Sequence, residues 1–165
     1  MKYTYKIVVG DWSDDGHSQK DFFHFKCTHD SKTIKKAYLD AVKKSKISLH
    51  DNHGKSLKDI TPICCDYEDN RISREVFDAL MGIGVDLSKK LENIVDEDED
   101  EDEDEDNEDD EEIYIHLDDI PVIFLEMVKS QIEGFKYQLI EDEIECINGF
   151  WSKDFNHSFG YGCYN

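Results

Sequence analysis

The chain begins with two stretches in which hydrophobic and polar side chains alternate. Hydrophobic residues occupy the odd positions of residues 3–9, and residues 23–27 repeat this pattern after a polar segment that contains Asp15-Gly16. A period of two is typical of a strand with one buried face, and Asp-Gly favours a turn. The pattern predicts an antiparallel pair of strands joined by a long loop.

A helical spacing follows over residues 31–45. Asp30 or Ser31 is suited to cap its start, because a short polar side chain can accept a free backbone N–H there. Lysines cluster at its end, where the helix dipole favours cations. The predicted buried face consists of Ile34, Ala37, Tyr38, Ala41 and Val42. The chain is therefore expected to open with a ββα unit.

Two more helices are predicted further along the chain. Ser73 can cap the first of them, which should end near Gly82. Asp118 or Asp119 can cap the other, with Pro121 in its first turn. The predicted inward residues are Val76, Phe77, Leu80 and Met81 in the first helix, and Ile120, Ile123, Phe124, Met127, Val128 and Ile132 in the other.

Shorter hydrophobic runs predict additional strands, at residues 60–67, 113–117 and 135–147. The segment after residue 112 has one predicted helix, so it should share a core with the N-terminal segment. We therefore predict a single α+β domain over residues 1–165. It would contain an antiparallel sheet with an N-terminal ββα unit, two to three main helices and a long acidic insertion.

The insertion is the acidic tract, residues 96–112. Sixteen of its seventeen residues are Asp or Glu, and the remaining residue is Asn107. The acidic residues are Asp96, Glu97, Asp98, Glu99, Asp100, Glu101, Asp102, Glu103, Asp104, Glu105, Asp106, Glu108, Asp109, Asp110, Glu111 and Glu112. With nothing apolar to bury, the acidic tract is expected to be disordered or extended when free.

The acidic tract has a charge spacing close to that of nucleic acid. An extended chain places one carboxylate about every 3.4 Å, and one nucleic-acid strand has one phosphate about every 3.4 Å. The acidic tract could therefore occupy a basic surface that normally tracks phosphates. The alternative is a solvated loop that keeps the protein in solution, and Ca²⁺ binding should be weak because Gly and carbonyl ligands at set positions are missing.

Composition limits the classes of partner. The net charge is −21, of which the acidic tract contributes −16, and only two of the 165 residues are Arg. Direct nucleic-acid binding by this chain is therefore not expected. No apolar run reaches the ~20 residues of a membrane span. Five cysteines without a CxxC pair indicate reduced thiols. A start without a secretion signal indicates a cytoplasmic protein. No cofactor is expected.

The first loop offers a candidate metal site. Asp11, Asp14, Asp15 and His17 combine carboxylates with an imidazole, which could hold a divalent ion that activates water. A hydrolase of this kind could also use His157. The competing interpretation is ordinary turn chemistry, since the spacing matches no known metal motif.

The C-terminal tail alternates aromatic and glycine residues. A strand of this composition could stack a base or bind a partner through Tyr161 and Tyr164, or it could simply close the core. His157 and Cys163 could act as base and nucleophile, but no third orienting group is evident.

Two cysteines and two histidines form a weaker zinc candidate. Cys64 and Cys65 could join His50 and His53. Neighbouring residues on a strand point to opposite faces, which argues against both thiols binding one metal.

The leading hypothesis is a non-enzymatic interaction or inhibitor protein. The acidic tract would mimic nucleic acid on a basic, nucleic-acid-binding partner protein, as small acidic anti-defence and immunity proteins do, and the folded body would supply specificity. The first alternative is a metal-dependent hydrolase that uses Asp11, Asp14 and His17. The second is a small-ligand-binding protein with a solubilising acidic loop.

Overall fold

A computed structural model of the protein describes residues 1–10, 20–49, 59–63, 71–88, 113–116, 118–140 and 157–161. The elements of this part of the chain are β1 (Tyr3–Gly10), β2 (Lys20–Cys27), α1 (Ser31–Ser45), β3 (Ile47–Ser48), β4 (Thr61–Pro62), β5 (Arg71–Ile72), α2 (Arg74–Gly82), β6 (Ile113–Tyr114), α3 (Asp119–Lys129), β7 (Tyr137–Ile140) and β8 (His157–Tyr161). The fold is mixed α+β, as the sequence predicts.

The main sheet has the strand order β7-β2-β1-β8. Strands β1 and β2 are antiparallel, with Tyr3 opposite Cys27 and Gly10 opposite Lys20. Strand β7 is antiparallel to β2, which confirms the predicted antiparallel sheet. Strand β8 pairs with β1 in parallel, and alternation in the sequence does not specify this orientation. Two short pairs, β3 with β4 and β5 with β6, lie outside this sheet.

Aromatic rings connect the core face of the sheet to α3. Tyr5 on β1 and Phe25 on β2 are fully buried, and their ring centroids lie 5.2 Å apart. Phe159 on β8 lies 5.7 Å from the Tyr5 ring and 5.2 Å from the ring of Phe124 on α3. These contacts confirm that β8 contributes to the core through Phe159.

Helix α1 begins and ends as its sequence indicates. The Asp30 carboxylate accepts the backbone N–H of Thr33 at 2.8 Å, and all five predicted inward residues are buried. Lys46 ends the helix in the left-handed conformation, with φ of 63°. Its carbonyl then accepts the backbone N–H of Thr61 at 2.8 Å, which connects α1 to β4.

Helix α2 differs from the prediction at one position. Ser73 caps the helix by accepting the backbone N–H of Val76, as expected. Met81 was expected to point inward, but it is 37% exposed. Gly84, with φ of +97°, turns the chain so that Val85 and Leu87 become buried. These two residues pack into the core next to α2, and the Met81 sulfur instead accepts the backbone N–H of Leu87.

Helix α3 is the most deeply buried helix among the described residues. Seven of its eleven residues are buried: Ile120, Pro121, Ile123, Phe124, Leu125, Met127 and Val128. Asp118 occupies the N-cap position, but its side chain makes no capping hydrogen bond. The Asp119 carboxylate instead accepts the backbone N–H of His116 at 2.6 Å. Asp118 therefore does not cap α3 through its side chain in the way the sequence predicts.

The described segments on both sides of the acidic tract belong to one hydrophobic core. Ile113 and Ile115 are buried in the same cluster as Tyr5, Ile34 and Leu80. None of the helices in the described ranges is long and apolar enough to cross a membrane. Residues 64–67 of the predicted strand at 60–67, and residues 141–147 of the predicted strand region at 135–147, lie outside the described residues.

Candidate interaction surfaces

Most of the residues predicted to bind a partner, to hold a metal or to act in catalysis lie outside the described part of the chain. These are the acidic tract (residues 96–112), the loop residues Asp11, Asp14, Asp15 and His17, and the tail residues Cys163 and Tyr164. The proposed zinc ligands His50, His53, Cys64 and Cys65 also lie outside it. Tyr161 is the last residue of β8, but its side chain is not among those described.

The sheet brings the start of the first loop next to the start of the tail. Because β8 runs parallel to β1, Val9 pairs with Tyr161 at the end where both strands finish. The loop at 11–19 and the tail at 162–165 therefore begin at the same end of the sheet. His157 instead pairs with Tyr5, four residues or about 13 Å back along the strand. The backbone thus separates His157 from the point where the loop begins.

The described residues contain no metal centre. No group of three or more His, Cys, Asp or Glu side chains within the described ranges is placed to hold an ion. The candidate ligands of the first loop are not part of that finding.

Cys27 is a structural thiol. Its side chain is fully buried, and its sulfur donates to the carbonyl oxygen of His29 at 3.4 Å. Burial raises the pKa of this thiol, which disfavours the nucleophilic thiolate.

His24 lies on the opposite face of the sheet. Burial and the nearby Lys6 ammonium lower the pKa of His24, so the neutral imidazole is favoured there. Neither environment is that of an activated catalytic group.

The acidic tract is attached to the core on both sides. Before it, Val85 and Leu87 are buried, and Ser88 is the last described residue. After it, Ile113 is fully buried and pairs with Ile72, which joins β6 to β5. The folded body therefore fixes the positions at which the chain leaves and re-enters it.

An exposed pair of an arginine and a tyrosine lies where the chain re-enters the folded body after the acidic tract. Tyr114, two residues after Glu112, is 51% exposed. The Arg71 guanidinium donates to the Tyr114 hydroxyl at 2.5 Å, and its carbon lies 4.6 Å from the ring centroid. We call these two residues the Arg71–Tyr114 pair. Sequence reasoning missed it, although Tyr114 occupies the outward position of the alternating 113–115 stretch and Arg71 is one of only two arginines.

Helix α1 presents a row of lysines to the solvent. The lysine ridge consists of Lys32, Lys35, Lys36 and Lys43, all exposed. Three of them lie opposite the buried face of the helix, and Lys35 lies at the border of that face. Residues 30–46 contain six lysines and two aspartates, which gives this segment a charge of +4 in a protein of −21. Lys36 pairs with Asp40 at 3.7 Å, but an exposed pair of this kind contributes little. The lysine ridge is therefore a positive surface on a negative protein.

Comparison with known proteins gives no match: no family model, no curated protein and no solved structure corresponds to this chain.

Proposed function

We propose that the protein is a non-enzymatic interaction protein. Its acidic tract binds a basic, nucleic-acid-binding surface of a partner protein, and its folded body makes the binding specific. The observation that carries this proposal is the sequence of residues 96–112, which has sixteen carboxylates in seventeen positions. Their spacing in an extended chain, about 3.4 Å, equals that of phosphates along a single strand.

The attachment of the acidic tract supports this proposal. Both flanking segments enter one hydrophobic core, through Leu87 on one side and Ile113 on the other. A charged segment held at both ends loses less conformational entropy on binding than a free tail does.

Charge alone does not distinguish one basic protein from another, so specificity must come from contacts of defined shape. The Arg71–Tyr114 pair is suited to this role, because Tyr and Arg often dominate interface energies and Tyr114 follows the acidic tract by two residues in the sequence. We propose Tyr161 and Tyr164 as further contacts, as the tail sequence indicates.

The test uses the partner captured from the native host. Its binding kinetics are measured by surface plasmon resonance at several salt concentrations. One variant replaces every Asp and Glu of residues 96–112 with Asn and Gln, and a control shuffles the order of Asp and Glu without changing the charge. We expect the neutral variant to associate more slowly and with a weaker salt dependence, because electrostatic attraction mainly raises association rates. The shuffled control should behave like the natural protein.

The aromatic contacts are tested in the same assay. Tyr114→Ala, Tyr161→Ala and Tyr164→Ala should mainly speed dissociation, because they remove short-range contacts. Tyr3→Ala, on the edge of the core away from β6, serves as a comparison for general destabilisation. If the neutral variant associates at the same rate and with the same salt slope, the acidic tract does not bind the partner and the proposal is wrong.

One observation favours a second candidate, a metal-dependent hydrolase. The loop that contains Asp11, Asp14 and His17 begins at the same end of the sheet as the tail, since Val9 pairs with Tyr161. Residues that follow the carboxyl ends of adjacent parallel strands often form sites. Calorimetry with Mn²⁺ and Zn²⁺ on the tract-neutralised protein tests this candidate. A micromolar site that is lost in Asp14→Ala would favour the hydrolase, and the interaction proposal predicts that there is none.

A further inference from the structure

We propose that the lysine ridge of α1 is a docking surface for the chain's own acidic tract. This contact lies within one molecule, so it does not depend on the existence or identity of a basic partner.

Charge complementarity identifies the occupant. The lysine ridge is exposed, three of its four lysines lie opposite the buried residues of α1, and residues 30–46 together have a charge of +4. The acidic tract has a charge of −16 within the same chain. A tethered segment has an effective concentration in the millimolar range, so it competes strongly with any separate anionic molecule.

The described contacts place the turn after α2 and the last turn of α1 at the same end of α3. A side chain at Gly84, just after α2, would contact the Cβ of Ser130 at 3.8 Å. The next residue, Gln131, accepts a hydrogen bond from the Lys44 ammonium on α1 at 2.5 Å. The turn after α2 and the Lys44 side chain therefore both reach the residues that follow α3. The chain leaves the described body at Ser88, four residues after Gly84.

The length of the connecting chain is sufficient. Seven residues, 89–95, precede the acidic tract and span up to about 24 Å when extended. The lysine ridge runs from Lys32 to Lys43, eleven residues apart or about 16 Å along a helix. Twenty-four residues in total separate Ser88 from Ile113 and span up to about 80 Å. The acidic tract can therefore lie along α1 and still return to β6.

Docking would have a consequence for binding. A basic partner must displace the lysine ridge before it can use all the carboxylates, so the ridge would act as an internal competitor. Neutralising the lysine ridge should then increase affinity for that partner.

The experiment needs only this chain, without a partner. Backbone amide chemical shifts are measured by NMR in the natural protein and in the variant that carries Asn and Gln throughout residues 96–112. We expect the largest shift changes at Lys32, Lys35, Lys36 and Lys43 in low salt, and we expect them to disappear at 0.5 M NaCl because screening is then strong. The exposed lysines Lys26 and Lys136 lie on other elements and should change little.

A reciprocal pair of variants tests the contact from the other side. Lys32→Gln, Lys36→Gln and Lys43→Gln together should shift the amide signals of the acidic tract. The matched control, Lys2→Gln with Lys26→Gln and Lys136→Gln, removes the same charge from other surfaces and should not. Equal changes in both variants, or no change at the lysine ridge in the neutral variant, would overturn the proposal. Changes that grow with protein concentration would also overturn it, because they would show that a second copy is the occupant.

Discussion

At the scale of single residues, buried polar atoms connect elements that hydrophobic patterns treat separately. The Tyr38 hydroxyl on α1 accepts the backbone N–H of Leu49 at 3.0 Å and lies 3.4 Å from the Ser48 hydroxyl. Its ring lies 5.3 Å from that of Phe124 on α3. One side chain thus joins α1, the β3 segment and α3.

We predict that Tyr38→Phe destabilises the protein by about 1–3 kcal/mol, because it leaves the buried N–H of Leu49 without its acceptor. Urea unfolding followed by circular dichroism measures this change. Tyr114→Phe is the control, since it removes a hydroxyl from an exposed ring and should change stability by no more than about 0.5 kcal/mol. Equal stabilities of Tyr38→Phe and the natural protein would show that Leu49 finds another acceptor.

Helical spacing predicts that Tyr38 is buried, but it does not predict what the hydroxyl binds. Its partner, Leu49, lies eleven residues further along, past a turn made by Lys46 with positive φ. The Arg71–Tyr114 pair is even harder to predict from the sequence, because its members are 43 residues apart. Local patterns indicate which face a residue occupies, whereas such pairs depend on how whole elements pack.

At the scale of elements, the start of α1 gives a pH-dependent contribution to stability. The backbone N–H of Thr33 donates to the Asp30 carboxylate and lowers the pKa of that group. A carboxylate with a lowered pKa stabilises the folded state above its unfolded pKa of about 3.9. That contribution is lost as pH falls through the lower, folded pKa.

We therefore predict that Asp30→Ala lowers the melting temperature at pH 7, and that the difference from the natural protein becomes smaller below about pH 4. Asp30→Asn is the matched variant, because its side-chain oxygen can still cap the helix but does not titrate. It should lie between the other two proteins at pH 7. A difference for Asp30→Ala that stays constant down to pH 2 would contradict this assignment.

Elements with strong periodicity were predictable, and their connections were not. The inward residues of α1 are confirmed because one face of this long helix packs in the core, mainly against α3. The prediction that Met81 points inward was wrong, because the turn at Gly84 returns Val85 and Leu87 to the core. The parallel direction of β8 was not predicted, since alternation is the same for either strand direction.

At the scale of the whole molecule, the segment after the acidic tract depends on the segment before it. Strand β7 pairs with β2, β8 pairs with β1, and β6 pairs with β5. Helix α3 carries buried residues on most of its sides, and these pack in the shared core. Separated from residues 1–88, the C-terminal segment would lose every described strand partner.

We predict that residues 113–165, expressed alone, are unfolded. A fragment of this size buries too little surface to fold when its strands lack neighbours. Circular dichroism during heating checks this expectation, and a mixture with residues 1–95 tests whether the two pieces recover structure together. A cooperative melt of the isolated fragment would instead establish two independent domains.

The candidate surfaces were predictable to different degrees. Composition alone identifies the acidic tract, because sixteen carboxylates need no structural context to be recognised. The lysine ridge is visible in the sequence only as lysines scattered along a helix. The position of α1 relative to the turn after α2 depends on how three helices pack around Ser130 and Gln131.

The parallel pairing of β1 with β8 has a consequence for biosynthesis. Tyr5 is made 152 residues before its partner His157. While the chain grows, β1 can pair with β2, but its other edge stays open until residues 157–161 leave the ribosome. An open edge is a site where strands of other molecules can add. Nascent chains that stall between residues 113 and 156 already contain the acidic tract. They should nevertheless be more prone to associate with one another than chains that include β8.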